Sequence, residues 1–323
     1  MDRYVTLLLC VCCLFSSHAA DAQTSRPFRT RNLNPLVSIF GLPAWHAGQE
    51  SFEVSVTSEL ANHFSFGAGS RETIALDGET WRNSLFVSKR FGDGWSVSFE
   101  LPHYRVSGGV LDDLIDGWHS TFGLPDGGRN ARGDSELLFA FQRDGQDVFR
   151  LADDRSGLGD VQLGIGYRLG RQDGVYANAW VKLPTGDEAS LAGSGATDWA
   201  VTLLRPRDVV VRGRAAGYFW GLGAARLGRV ELVAFDQERS VFLAVAGGSL
   251  SIAERFGVKL QLDFHSRVYR SELEQIGDDG LQATLGGWWQ FAQRGSLEFG
   301  VNEDLQVNTS PDVVLHAAAR WQW

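Results

Sequence analysis

The stretch Asp312-Val313-Val314-Leu315-His316-Ala317-Ala318-Ala319-Arg320-Trp321-Gln322-Trp323 alternates with a period of two up to its last residue. In an extended chain Val313, Leu315, Ala317, Ala319, Trp321 and Trp323 share one face, and Val314, His316, Ala318, Arg320 and Gln322 share the other. One face is apolar throughout and the other mostly polar. A soluble sheet can show this period, but a terminal pair of Trp residues suits a membrane interface better, and the closing strands of outer-membrane barrels have this form. Trp321 and Trp323 are therefore the candidate signal for the barrel-assembly machinery.

The same alternation recurs along the chain. From Val258 to Val268 the outward set is Val258, Leu260, Leu262, Phe264 and Val268, and the inward set is Lys259, Gln261, Asp263, His265 and Arg267. A slip of one residue would place three charges in lipid. Val161, Leu163, Ile165, Tyr167 and Leu169 repeat the pattern, as do Trp95, Val97, Phe99 and Leu101, with Leu297, Phe299 and Val301 near the end. The expected fold is an all-β, antiparallel transmembrane outer-membrane β-barrel of about 14 strands. Twelve is the alternative, because 147–152 and its partner are short. Tight periplasmic turns are expected at Gly92-Asp93-Gly94, Asp144-Gly145, Gln172-Asp173-Gly174, Pro206-Arg207-Asp208, Glu254-Arg255 and Arg294-Gly295, with the long loops facing outward. One segment departs from the pattern: Leu111, Leu114, Ile115, Trp118 and Phe122 have helical spacing, which predicts a short amphipathic helix in a long loop, ended by Gly123 and Pro125.

The amino terminus carries Arg3, an apolar run from Val5 to Phe15 and then Ala20-Asp21-Ala22, the layout of a cleaved secretory signal peptide. Residues 1–22 are assigned to it, 23–50 to a periplasmic N-terminal extension and possible plug, and 51–323 to the barrel. Cys10, Cys12 and Cys13 all fall in the signal, so the exported chain would lack disulfides and depend on a large core or a closed hydrogen-bonded ladder. A mean hydropathy of −0.13 does not argue against a membrane, since alternation hides membrane strands. A net charge of −9 argues against a nucleic-acid partner. The expected location is the outer membrane of a Gram-negative bacterium. Its lipid and lipopolysaccharide, periplasmic chaperones and the barrel-assembly machinery are the expected partners. The long loops lean acidic through Glu72, Asp77, Glu79, Asp187, Glu272 and Asp279, and the tight turns lean basic through Lys89, Arg90, Arg171, Arg205, Arg207 and Arg294.

Several short motifs resemble one family. They are Asn34-Pro35-Leu36 with Ile39-Phe40-Gly41-Leu42-Pro43, and Glu100-Leu101-Pro102 through Gly108-Gly109, Trp118-His119 and Phe122-Gly123-Leu124-Pro125 to Gly127-Gly128-Arg129. Gly157-Leu158-Gly159-Asp160 and Lys182-Leu183-Pro184-Thr185-Gly186 complete the set. Together they resemble the proteobacterial domain-of-unknown-function family 3187, and the last pair is similar to outer-membrane transporters of aromatic-degradation clusters. The resemblance implies fold and location rather than chemistry.

Inward alternation selects Glu100, Arg168, Lys182, Lys259, Asp263, His265, Arg267 and Arg320 as lumen-lining candidates. They would either line a water-filled path for a small solute, the favoured reading, or pair with each other as a structural filling. Phe40, Leu42 and Pro43 echo Phe122, Leu124 and Pro125, and with Trp118 these are the plug candidates, expected to meet inside the barrel. Catalysis is not expected. His265 and Ser266 point to opposite faces, and Ser96 and Ser98 lie on the face opposite His103, so no serine stands beside a base. Asp112, Asp116 and His119 share a helical face but are better read as its wet side. Gly164-Ile165-Gly166 and Gly221-Leu222-Gly223 lack the rest of a nucleotide fingerprint. No cofactor or metal is assigned. The expected role is passage or binding of a small solute. A non-conducting envelope barrel is the alternative, and a lipid-active enzyme comes third.

Overall fold

The computed structural model describes residues 24–109, 137–170, 174–230, 237–306 and 308–323. The signal-peptide assignment, the amphipathic helix and the candidates Trp118, Phe122, Leu124 and Pro125 lie outside these residues. Fifteen strands form one antiparallel sheet: β1 (Phe52–Ala68), β2 (Glu72–Phe91), β3 (Trp95–Ser107), β4 (Leu138–Arg143), β5 (Gln146–Leu151), β6 (Arg155–Leu158), β7 (Gln162–Leu169), β8 (Val175–Lys182), β9 (Asp198–Val211), β10 (Arg214–Arg226), β11 (Ser240–Ala253), β12 (Phe256–His265), β13 (Gly280–Gln290), β14 (Gly295–Asp304) and β15 (Val313–Gln322). Among the described residues two one-turn α-helices, α1 (Pro35–Ser38) and α2 (Glu274–Gly277), flank the top of the interior, and a 3-10 turn covers Glu188–Ser190.

Twelve of the strands close a ring in the order β1, β2, β3, β7 to β15 and back to β1. The seam pairs β1 with β15, from Glu53 opposite Gln322 to Asn62 opposite Val313. The ring count is thus twelve rather than fourteen. Segments 138–143 and 146–151 do form strands, but they extend β2 upward, over Glu72–Asp77, above the point where β3 stops pairing with it. Strand β6 likewise takes over from β7 along β3, between His103 and Val106.

Period two governs the whole wall. In β12 the side chains of Val258, Leu260 and Leu262 are exposed outward while Lys259 and Gln261 are buried inward. Trp95, Trp199, Val201, Phe242 and Leu285 are each more than half exposed on the outer surface. Water would penalise such a belt, and bilayer hydrocarbon accepts it. Among the described residues no helix is long and apolar enough to cross a membrane.

Short turns join the strands at the end that holds Phe52 and Gln322, and the long loops lie at the other, beside the three-residue turn between β1 and β2. Of the expected turns, Gln172-Asp173-Gly174 lies mostly outside the described residues, and two others differ from expectation. Pro206-Arg207-Asp208 is inside β9, and the reversal falls at Arg212-Gly213, where φ values of 51° and 77° make the left-handed pair that a two-residue hairpin needs. Pro206 is tolerated there because β8 stops pairing with β9 at Leu204, so the proline leaves no ladder bond unmade on that side. Asp144-Gly145 makes a turn, but at the long-loop end, between β4 and β5.

Candidate functional site

Residues 24–50 occupy the interior of the ring. Thr24 starts near the short-turn end, where its Oγ1 donates to Asp208 (2.7 Å). Asn34 reaches the long-loop end, where its Nδ2 donates to the carbonyl of Gln275 (3.0 Å). The chain then descends to Ser51, whose hydroxyl meets the carbonyl of Trp323. Inside a ring of polar side chains this segment has no ladder to join, so its backbone relies on the wall's side chains. The amide of Phe28 donates to Gln261 Oε1 (2.7 Å), and that of Gly41 donates to Asp198 Oδ2 (2.8 Å).

Glu100 of β3 lies at the centre of the lower half. Its Oε2 accepts from Arg29 Nη2 (2.6 Å) and Arg31 Nη2 (2.7 Å) of the inner segment, while its Oε1 accepts from Arg82 of β2. Arg82 also donates to Glu59 of β1 (2.9 Å). A second chain of ion pairs runs beside it. Lys259 donates to Glu298 (2.8 Å), Glu298 accepts from Arg320 (2.9 Å), and Glu53 stands 3.4 Å from Arg320 and 3.6 Å from Arg26. All of these side chains are nearly or fully buried except Glu50, the other partner of Arg26, which is a quarter exposed.

Three of the short motifs meet at a third cluster. Lys182 donates to Asp160 (2.5 Å), to the carbonyl of Ile39 (3.2 Å) and to Ser194 Oγ, and it lies 3.1 Å from Asp198. Asp160 also accepts from the amides of Gly186 (2.7 Å) and Ser194 (3.1 Å), tying the loop after β8 to the wall. Gly41 is required at this point, since a Cβ there would lie 2.6 Å from Lys182 Cβ. One lysine thus faces two carboxylates and the turn of the inner segment. Above it the contacts become apolar. Leu36, Val37, Ile39 and Phe40 pack with Tyr269, Leu273 and Ile276, with the Phe40 and Tyr269 rings 5.8 Å apart.

Of the lumen-lining candidates, Glu100, Lys182, Lys259 and Arg320 point inward into these clusters. Asp263 accepts from Thr30 Oγ1 (3.1 Å) and Gln261 Nε2 (2.7 Å) and makes no ion pair among the described residues. His265 donates from Nδ1 to the carbonyl of Ser266 (3.0 Å) and accepts at Nε2 from Asn32 (2.8 Å), the pattern of a neutral ring. Arg168 has inward parity but lies half-buried at the short-turn end of β7. Arg267 is not on the lumen wall. Strand β12 stops at His265, and two residues on the side chain is half exposed and 3.4 Å from Glu238 of the neighbouring loop. Of the described plug candidates, Phe40 and Pro43 are buried, and Leu42 packs against the core while its carbonyl accepts from Arg31 (2.9 Å).

Arg29, Arg31, Glu53, Glu59, Arg82, Asp160, Asp198 and Glu298 complete these clusters beyond the residues that sequence alternation selects. Glu298 was readable, since Leu297 and Phe299 face outward on either side of it. Ser96 and Ser98 are buried and His103 is exposed, so the described wall holds no serine and histidine side by side at this point. Among the described residues no group of three or more metal-ligating side chains is gathered; Asp112, Asp116 and His119 lie outside them.

A closed antiparallel ring with an apolar outer belt and a polar interior is the fold of an outer-membrane β-barrel. The chain belongs to the family described as protein of unknown function (DUF3187), which matches residues 3–323. Among solved structures it is similar to the COG4313 outer membrane channel from Pseudomonas putida F1, at 16% identity over 88% of this chain and 98% of that one, with a TM-score of 0.53. It is more loosely similar to the KdgM porin (6% identity, 84% of this chain and 99% of that one, TM-score 0.44) and to the P. putida toluene transporter TodX (9%, 84% and 89%, TM-score 0.38). No curated protein matches the chain.

Proposed function

We propose that the protein is a channel of the outer membrane for a small solute, not an enzyme, and that residues 24–50 are a plug that occupies its lumen in the closed state. The observation that supports this most is the kind of contact that fills the lower lumen. Arg29 and Arg31 are held by Glu100, a charged contact that water can replace when the segment moves out. A filling meant to be permanent gains more from apolar packing than from buried ion pairs, whose desolvation cost offsets much of their attraction. Cavities of about 50 Å³, beside Phe40, Trp45, Asp263 and His265, and about 20 Å³ remain between segment and wall, room for a few water molecules. Export through the cleaved signal, insertion through the terminal Trp pair and contact of the acidic loops with lipopolysaccharide through shared divalent cations belong to the same reading.

The second reading is a structural barrel that never conducts, and the charge-matched ion pairs of Glu298 with Lys259 and Arg320 favour it. Planar-bilayer recordings separate the two. In the channel reading, the Arg29→Gln, Arg31→Gln double variant shows a higher open probability than the native chain. If both are silent while the barrel is folded, the structural reading stands.

A further inference from the structure

The two ion-pair clusters of the lower lumen are not balanced alike. Around Glu298 and Glu53, the cations Arg26, Lys259 and Arg320 meet the carboxylates Glu50, Glu53 and Glu298, and charge is matched. Around Glu100, three guanidiniums, those of Arg29, Arg31 and Arg82, share two carboxylates, Glu100 and Glu59. His316, 3.5 Å from Glu59, can only add to this positive excess. Asp263 does not relieve it, since that carboxylate takes neutral donors and makes no ion pair among the described residues.

The excess has a definite outlet. Arg29 stacks its guanidinium over the Phe86 ring at 3.4 Å and spends Nη2 on Glu100, while its buried Nη1 has no hydrogen-bond partner among the described residues. Arg29 lines the cavity of about 20 Å³ together with Arg26, Arg320, His46 and Glu53. Arg320 Nε, also buried, lies 3.4 Å from Glu53 without making a hydrogen bond. Ala47, Gly48 and Gln49 form the rim towards the short-turn end. Three guanidiniums therefore converge on a space large enough for one small ion, with a single carboxylate among them.

We propose that this cavity binds one compact monovalent anion, either a halide or the carboxylate of a small organic acid. The anion accepts from Arg29 Nη1 and Arg320 Nε and supplies the missing negative charge of the Glu100 cluster. Arg26 closes the site from below. The site stands whether or not the lumen conducts.

The test is diffraction from crystals of the full exported chain grown without halide and soaked in sodium bromide, with anomalous data at the bromine edge. The proposal expects a peak within hydrogen-bonding reach of Arg29 and Arg320, lost in the Arg29→Gln variant, whose folding is checked by heat-modifiable migration. A second soak adds excess sodium formate. Loss of the peak with carboxylate density in its place supports the site and assigns it to organic acids, and retention supports it as a halide site. Neither bromide nor formate between the arginines, or a peak that persists in Arg29→Gln, overturns the proposal.

Discussion

Glu100 gathers three guanidiniums from separate parts of the chain, two from the inner segment and one from β2. Removing its charge leaves Arg29 and Arg31 buried with no carboxylate and Arg82 with Glu59 alone. Breaking a buried pair in this way costs roughly 3–5 kcal/mol, so Glu100→Ala is expected to lower the midpoint of heat-induced unfolding markedly in detergent. Glu100→Asp, which keeps the charge, is expected to recover part of the loss. The inward position of Glu100 was legible from Val97, Phe99 and Leu101, which face outward around it. Its partners Arg29 and Arg31 were not, because they lie in a segment without periodicity, where nothing local indicates a distant carboxylate. Arg267 shows the converse limit. The alternation runs two residues past the end of β12, and a period of two does not mark where pairing stops.

Strands were easier to recognise than their neighbours. Segments 138–143 and 146–151 have true strand chemistry, with Phe139, Phe141, Phe149 and Leu151 buried, but alternation carries no information about which edge a strand will join. The terminal strand is different, because its role follows from its position. The Trp323 amide donates to the carbonyl of Phe52 (2.9 Å), and the Phe52 amide donates to the carbonyl of Trp323 (3.1 Å), closing the seam of the ring, while Trp321 and Trp323 project outward. Deletion of Trp321 to Trp323 is expected to leave unfolded chain in the periplasm; normal levels of heat-modifiable protein in the membrane would remove the assembly role. At the opposite end, the carboxylate of Glu272 accepts from the Arg71 amide (2.7 Å) and Ser70 Oγ (2.8 Å), fastening the β1–β2 hairpin tip to the loop before β13. These hydrogen bonds, led by that of the Arg71 amide, hold its pKa down to about 2. A depressed carboxylate contributes its stability above the unfolded value of ~4.3 and loses it as pH falls through the folded one. The gap in unfolding temperature between the native chain and Glu272→Gln should therefore stay constant above about pH 5 and close between about pH 4.3 and pH 2.

For the whole molecule, the ring is what the sequence announces, and the filling is what it conceals. Outward apolar residues repeat along the strands of the ring and need only lipid as a partner, so a local pattern suffices to find them. The 24–50 segment is defined by contacts to residues more than a hundred positions away, such as Gln261, Asp198 and Tyr269. Within it the Phe40-Gly41-Leu42-Pro43 chain reversal is recognisable locally, and it lies against Lys182 and Asp198, at the junction of charged and apolar contacts. The segment fills the lumen with its amides hydrogen-bonded to the wall, and hydrogen exchange of the detergent-solubilised chain reads that arrangement amide by amide. The amides of Phe28 and Gly41, bonded to Gln261 and Asp198, are predicted to exchange as slowly as those of the ring strands; exchange at the rate of an unstructured peptide would contradict the account.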